Sequence, residues 1–186
     1  MNMQGSLLAN NSEKNPRAKA DYYPTPPEVT HALIDTGLVP DGIWECACGE
    51  GHMSEVFIKR GFHCISSDIR DTGYGEVKDF LAEPPAYNVS AIVTNPPFKL
   101  AAEFIRRAHA LDVDVVAMLL KSQYWHAQSR ASLFEEFPPS HVLALTWRPD
   151  FCFGQRGGAP TMECLWTVWT KGDTETKYRV LRKPQR

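Results

Sequence analysis

Two stretches of this sequence combine residue types and spacing that could do chemistry. In the first, "IVTNPPFKL", residues 92–100, an apolar run ends in Asn95-Pro96-Pro97-Phe98. Proline gives no N–H to a sheet ladder and holds the residue before it extended, so the chain must leave a sheet here in a stiff loop. That loop exposes an amide, backbone carbonyls and an aromatic ring. Such a hook suits an amino nitrogen whose lone pair is delocalised into a ring, as in adenine. Two acceptors, the Asn95 side-chain oxygen and the Pro96 carbonyl, would hold both hydrogens and favour a pyramidal, nucleophilic nitrogen. Pro97 fixes their separation, and Phe98 offers a face for a base taken out of its helix.

The second stretch is "ECACGEG", residues 45–51, where Gly49 and Gly51 permit a tight turn and close approach of a ligand to the main chain. Asp68 follows Gly49 by 19 positions (68 − 49), a spacing that suits a carboxylate accepting from both hydroxyls of a ribose. The third glycine of a dinucleotide fingerprint is missing, and Glu50 inside the turn would repel a pyrophosphate. An adenosine ligand with a cationic, phosphate-free tail fits better. S-adenosylmethionine is such a ligand.

The elements that must position these stretches follow from periodicity. "GIWECACGEG" predicts a strand running into the glycine turn, "HMSEVFIKRG" a helix, and "HCISSDI" a second strand ending near Asp68. "EVKDFL" predicts a short third strand and "SAIVTN" a fourth. "AAEFIRRAHAL" then predicts a helix with Phe104, Ile105, Ala108 and Leu111 inward. "DVVAMLLK" reads as a strand buried on both faces, and "QSRASLFEEF" as a helix. "HVLALTW" and "ECLWTVWTK" follow as strands with no helix between them. The alternation predicts an α/β fold, a doubly wound and mostly parallel seven-stranded sheet with helices on both faces and an antiparallel hairpin at one edge.

Residues 1–20 are polar and aperiodic and predict a flexible leader; residues 21–172 predict one domain; residues 173–186 predict a basic tail, able to contact phosphate or simply solvated. The 186 residues hold 20 basic and 22 acidic side chains, which gives net charge no vote for a nucleic-acid partner. Five cysteines without disulfide or zinc spacing predict free thiols, Cys46 and Cys48 buried among them, and no metal. No run approaches a membrane span and no signal pattern opens the chain, so a cytoplasmic protein is expected. Trp166 and Trp169 fall in a strand and read as packing. The loop "RPDFCFGQRGGAP", residues 148–160, carries Arg148 and Arg156 and reads either as a solvated loop or as a nucleic-acid clamp.

"TNPPF", taken with "ECACGEG", "SSDI", "VKDF" and the upstream "YYPTPPEV", resembles the amino-group DNA adenine methyltransferases, the small phage- and prophage-type members above all. The resemblance spans about residues 21–170 and implies a class I Rossmann-like methyltransferase fold. It implies that Tyr23 and Thr25 hold the methionine end of S-adenosylmethionine, with Glu45, Ala47, Gly49 and Gly51 in the turn beneath it. Asp68 would bind the ribose, Asp79 the adenine amino group of the cofactor, and Phe80 would lie against its ring. Asn95, which also borders the cofactor, would hold the target base with Pro96, Pro97 and Phe98. Cys46 departs from the pattern, where a proline is common. No target-recognition domain is evident, which implies short or low sequence specificity on DNA, with Arg148 and Arg156 as contacts to it. RNA adenine, a protein glutamine amide, or a non-catalytic nucleic-acid-binding module on the same fold remain open beside it.

Overall fold

The computed structural model describes residues 23–83, 88–153 and 159–185. The elements run α1 (Pro27–Ile34), β1 (Ile43–Glu45), α2 (His52–Lys59), β2 (Cys64–Asp68), β3 (Glu76–Val77), β4 (Ala91–Thr94), α3 (Ala101–Ala110), β5 (Val115–Lys121), α4 (Ala131–Glu136), β6 (His141–Leu145), β7 (Cys164–Thr170) and β8 (Lys177–Leu181). They build one sheet of order β3-β2-β1-β4-β5-β7-β6-β8. Strands β1 to β5 pair in parallel, β7 runs antiparallel between β5 and β6, and β8 lies parallel to β6.

Two expectations are corrected. Among the described residues the sheet has eight strands, because Lys177–Leu181, assigned above to a basic tail, continue it beyond β6. The antiparallel hairpin of β6 and β7 is therefore not at the edge; β7 is inserted between β5 and β6. The six residues 171–176 carry the chain across the end of β6, where Lys177 N–H donates to the Ser140 carbonyl at 2.8 Å. Only Leu181 of β8 is buried, so its charged residues sit on an exposed edge, as edge strands commonly do.

Alternation along the central strands divides the core. Ala91 and Val93 of β4 and Val115, Ala117 and Leu119 of β5 pack toward α1 and α2, with Val29, Leu33, Val56 and Phe57. Ile92, Val116, Met118 and Leu120 point the other way, toward α3 and α4. Helix α3 buries Ala101, Phe104, Ile105 and Ala108, the i, i+3, i+4, i+7 stripe of an amphipathic helix. Trp166 is fully buried and donates from Nε1 to the Val29 carbonyl at 3.1 Å, tying β7 to α1. Among the described residues no helix is long and apolar enough to cross a membrane.

Strand order reverses between β1 and β4: the chain moves outward through β2 and β3, then crosses back. In open parallel sheets a crevice forms at the carboxyl ends of the strands at such a point. Glu45 ends β1, Asp68 ends β2 and Asn95 follows β4, so three of the residues singled out above meet there.

Candidate active site

A cleft of about 420 Å³ opens at this switch point. Its walls include Tyr23, Thr25, Glu45, Ala47, Asp68, Asp79, Phe80, Asn95 and Pro97, nine of the residues expected from sequence. Gly49, Gly51, Pro96 and Phe98, also expected from sequence, are not among its lining residues.

The glycine turn is fastened to the end of β2. Gly49 has φ +54°, and its N–H donates to Asp68 Oδ2 at 2.9 Å; the Cys48 N–H donates to the Ser67 carbonyl at 2.9 Å. Gly51 caps α2 with φ +82°, a left-handed conformation that suits glycine, and a Cβ there would overlap the Tyr74 ring. Asp68 is buried, and its second oxygen accepts from the Arg70 N–H at 2.9 Å and from Arg70 Nε at 3.0 Å. Burial opposes the charge, but the Arg70 side chain and N–H, with the Gly49 N–H, outweigh it and hold the carboxyl below its ordinary range. Asp68 is an anion fixed in orientation by two backbone N–H groups.

Glu45 behaves in the opposite way. It is 3% exposed, and burial pushes its carboxyl up to about 8 despite the Ser54 hydroxyl that donates to it; the nearby Asp68 charge adds to the rise. Within one cleft, Asp68 is thus ionised while Glu45 keeps its proton at neutral pH.

The Asn95 amide has a single polarity. Nδ2 donates to the Tyr23 carbonyl at 3.0 Å and to Thr25 Oγ1 at 3.1 Å, which uses both amide hydrogens on the segment before α1. Among the described residues Oδ1 accepts no hydrogen bond, so it is presented as an acceptor at the end of β4. Phe98 lies beside this point with its ring centroid 5.2 Å from that of Tyr23, which in turn meets Phe151 edge-on at 6.0 Å. Asp79 accepts from the Leu81 N–H at 2.9 Å. Phe80, 2% exposed, packs against Trp44 and Phe104 and offers only part of its ring to the cleft.

Arg148 stands apart from the cleft, exposed and paired with Glu163 at 2.6 Å. Arg156 lies outside the described residues. Cys46 and Cys48 are buried free thiols, pushed up by burial and by the Glu45 charge. Arg70, His52 and Leu100 also line the cleft and were not singled out from sequence. Arg70 had a legible signal, since a cation two positions beyond a strand-end carboxylate can fold back onto it. His52 and Leu100 had none beyond adjacency to the two motifs.

The chain matches no protein-family model, and no curated protein matches it in sequence. Solved structures do resemble it. A candidate RNA methyltransferase of Pyrococcus horikoshii superposes with a TM-score of 0.64 at 16% identity, over 85% of this chain and 91% of that one. The modification subunit of a candidate type I restriction enzyme from Vibrio vulnificus gives 0.61 at 12% identity, over 88% of this chain and 48% of that one. A candidate class I S-adenosylmethionine-dependent methyltransferase from Listeria monocytogenes gives 0.59 at 12% identity, over 85% of this chain and 65% of that one. At such identities the likeness defines the fold, and that fold is the class I methyltransferase fold.

Proposed function

We propose that the protein is an S-adenosylmethionine-dependent methyltransferase acting on the exocyclic amine of adenine in DNA, with short or low sequence specificity. The observation that carries this reading is the fixed polarity of the Asn95 amide, with both hydrogens committed inward and its oxygen left to accept. The residues of the cleft fit the cofactor: a buried, charged Asp68 suits a ribose diol, and about 420 Å³ accommodates a ligand of that size. Tyr23, Thr25 and the turn at Glu45, Ala47, Gly49 and Gly51 would hold its amino-acid end, and Asp79 and Phe80 its base. When bound, it would supply a methyl group on a positively charged sulfur, open to displacement by a nitrogen nucleophile.

The chain's own part is positioning. Asn95 Oδ1 and the Pro96 carbonyl accept from the two hydrogens of the target amine and turn its lone pair toward the methyl. Both acceptors carry partial negative charge, which stabilises the positive charge that develops on the nitrogen as the new C–N bond forms. Preorganisation by Pro96-Pro97 means that little reorganisation is needed at the moment of transfer. The amine then loses one proton to water, so no side chain need act as a strong base. Phe98 and Tyr23 provide the aromatic wall on which an extruded base stacks.

The hook and wall recognise an adenine amine whatever its sugar, and the likeness to a candidate RNA methyltransferase keeps RNA as the second reading. One experiment separates them. The protein is incubated with methyl-labelled S-adenosylmethionine and, in parallel, with DNA, RNA and protein, followed by nucleoside and amino-acid analysis. Label in N6-methyldeoxyadenosine is the expected result. Label in RNA alone moves the substrate, and absence of label from all three, with the cofactor bound, refutes the proposal.

A further inference from the structure

Strand β5 delivers Lys121 to the same rim as the Asn95 hook, because β5 is the parallel neighbour of β4. The ammonium of Lys121 stands 3.6 Å from the centroid of the Phe98 ring and 5.5 Å from that of Tyr23. At 3.6 Å from the centroid an atom cannot lie in the ring plane without overlapping ring carbons, so it lies on the face. Optimal contacts between stacked carbons are about 3.5–4.0 Å. The ammonium therefore fills the layer that a base lying on this face of Phe98 would occupy.

A planar base entering that layer must push the ammonium aside. Tethered at the end of a strand, the lysine tip moves to the edge of the base, close to its plane. An ammonium can only donate, so it seeks an in-plane acceptor. Beside its amino group adenine carries N1 on one side and N7 on the other, both acceptors. We propose that Lys121 is a specificity-determining residue: it holds the base layer on Phe98 in the free protein and, once displaced, donates to the ring nitrogen next to the target amine. The inference rests on the proposed function. Asn95 and Pro96 accept and Lys121 donates, so the pocket reads an amino group together with a neighbouring ring acceptor. A base with an N–H at that position, such as guanine at N1, meets donor against donor. Cytosine, with its amine beside N3, satisfies the same pair, so this contact alone does not separate it from adenine.

The test is a cycle between protein and substrate. Wild type and Lys121→Met, which keeps the stem and removes the charge, are assayed on oligonucleotides whose target base is adenine, 1-deazaadenine or 7-deazaadenine. Hydrogen bonds to charged groups make a loss of about ten- to a hundredfold in kcat/KM the expected wild-type result on one of the two deaza substrates. Lys121→Met should start lower by a similar factor on adenine and be indifferent to that same deaza change. Equal deaza penalties in both proteins, or full efficiency of Lys121→Met on adenine, would overturn the proposal. A flat deaza series in the wild type also overturns it, and that arm needs no folded variant. No wild-type transfer even to the adenine oligonucleotide would instead refute the proposed function.

Discussion

Replacing Asn95 by alanine tests the hook, because the structure separates its two effects. The first is structural. Truncation removes the donors at 3.0 and 3.1 Å and leaves the Tyr23 carbonyl and the Thr25 hydroxyl, the latter on a residue 5% exposed, without those partners. An unsatisfied buried polar group costs about 1–3 kcal/mol. At about 2–4 °C per kcal/mol for a chain of this size, the variant should melt about 2–12 °C below the wild type. The second effect is catalytic. Loss of one preorganised acceptor at the developing charge typically costs about a hundredfold or more in turnover. Single-turnover methyl transfer, run with cofactor saturating and well below the melting transition of the variant, isolates that term. Calorimetry with S-adenosylmethionine should show affinity falling far less than turnover, since the Asp68 anchor is untouched and only the Asn95 support of Tyr23 and Thr25 is lost. A variant that melts lower yet keeps most of its single-turnover rate would show that the Asn95 oxygen is not the acceptor, and the mechanism would fall.

Three further outcomes follow. Asp68→Ala should weaken cofactor binding tenfold or more, since charge-assisted hydrogen bonds are worth about 1.5–3 kcal/mol each; unchanged calorimetric affinity in a folded variant would remove its role. Between its ordinary value of 4.5 and about 8, Glu45 keeps in the folded state a proton that the unfolded chain has lost. Its contribution to stability is complete below that window and declines as pH rises through it, by at most about 1.4 kcal/mol per pH unit. Urea unfolding at several pH values should show a flatter profile for Glu45→Gln, and parallel profiles would contradict a buried, protonated Glu45. Gly51→Ala places a Cβ in the Tyr74 ring at φ +82° and should lower the melting temperature measurably; Tyr74→Ala in the same chain should recover part of the loss.

The centre of the parallel sheet was legible because β4 and β5 are apolar runs of β-formers, and α2 and α3 each show a 3.6-residue stripe. The cleft was legible because its polar residues sit where apolar runs stop, at Glu45, Asp68 and Asn95. The position of β7 was not legible. Its seven-residue pairing with β5 joins residues about fifty apart in sequence, and adjacency along the chain shows only its hairpin with β6. Strand β8 was hidden by composition: Lys177, Tyr178 and Arg179 lie on an exposed edge, where no periodicity in hydrophobicity is required of them. The inward commitment of the Asn95 amide was beyond sequence reasoning, since it depends on contacts with residues 70 and 72 positions away.

Arg70 plays two parts that its single position makes inseparable. Its backbone N–H orients the Asp68 carboxylate, while its guanidinium, 39% exposed, covers the same oxygens that a ribose diol would use. Under the proposed function, loading the cleft is an exchange in which a tethered cation gives way to two neutral hydroxyls. A competitor tethered two residues away acts at an effective concentration on the order of millimolar or above, so bound product is challenged continuously from within. On that reading the Arg70 contacts would compete with the ribose hydroxyls for Asp68 and weaken retention of whatever the cleft binds.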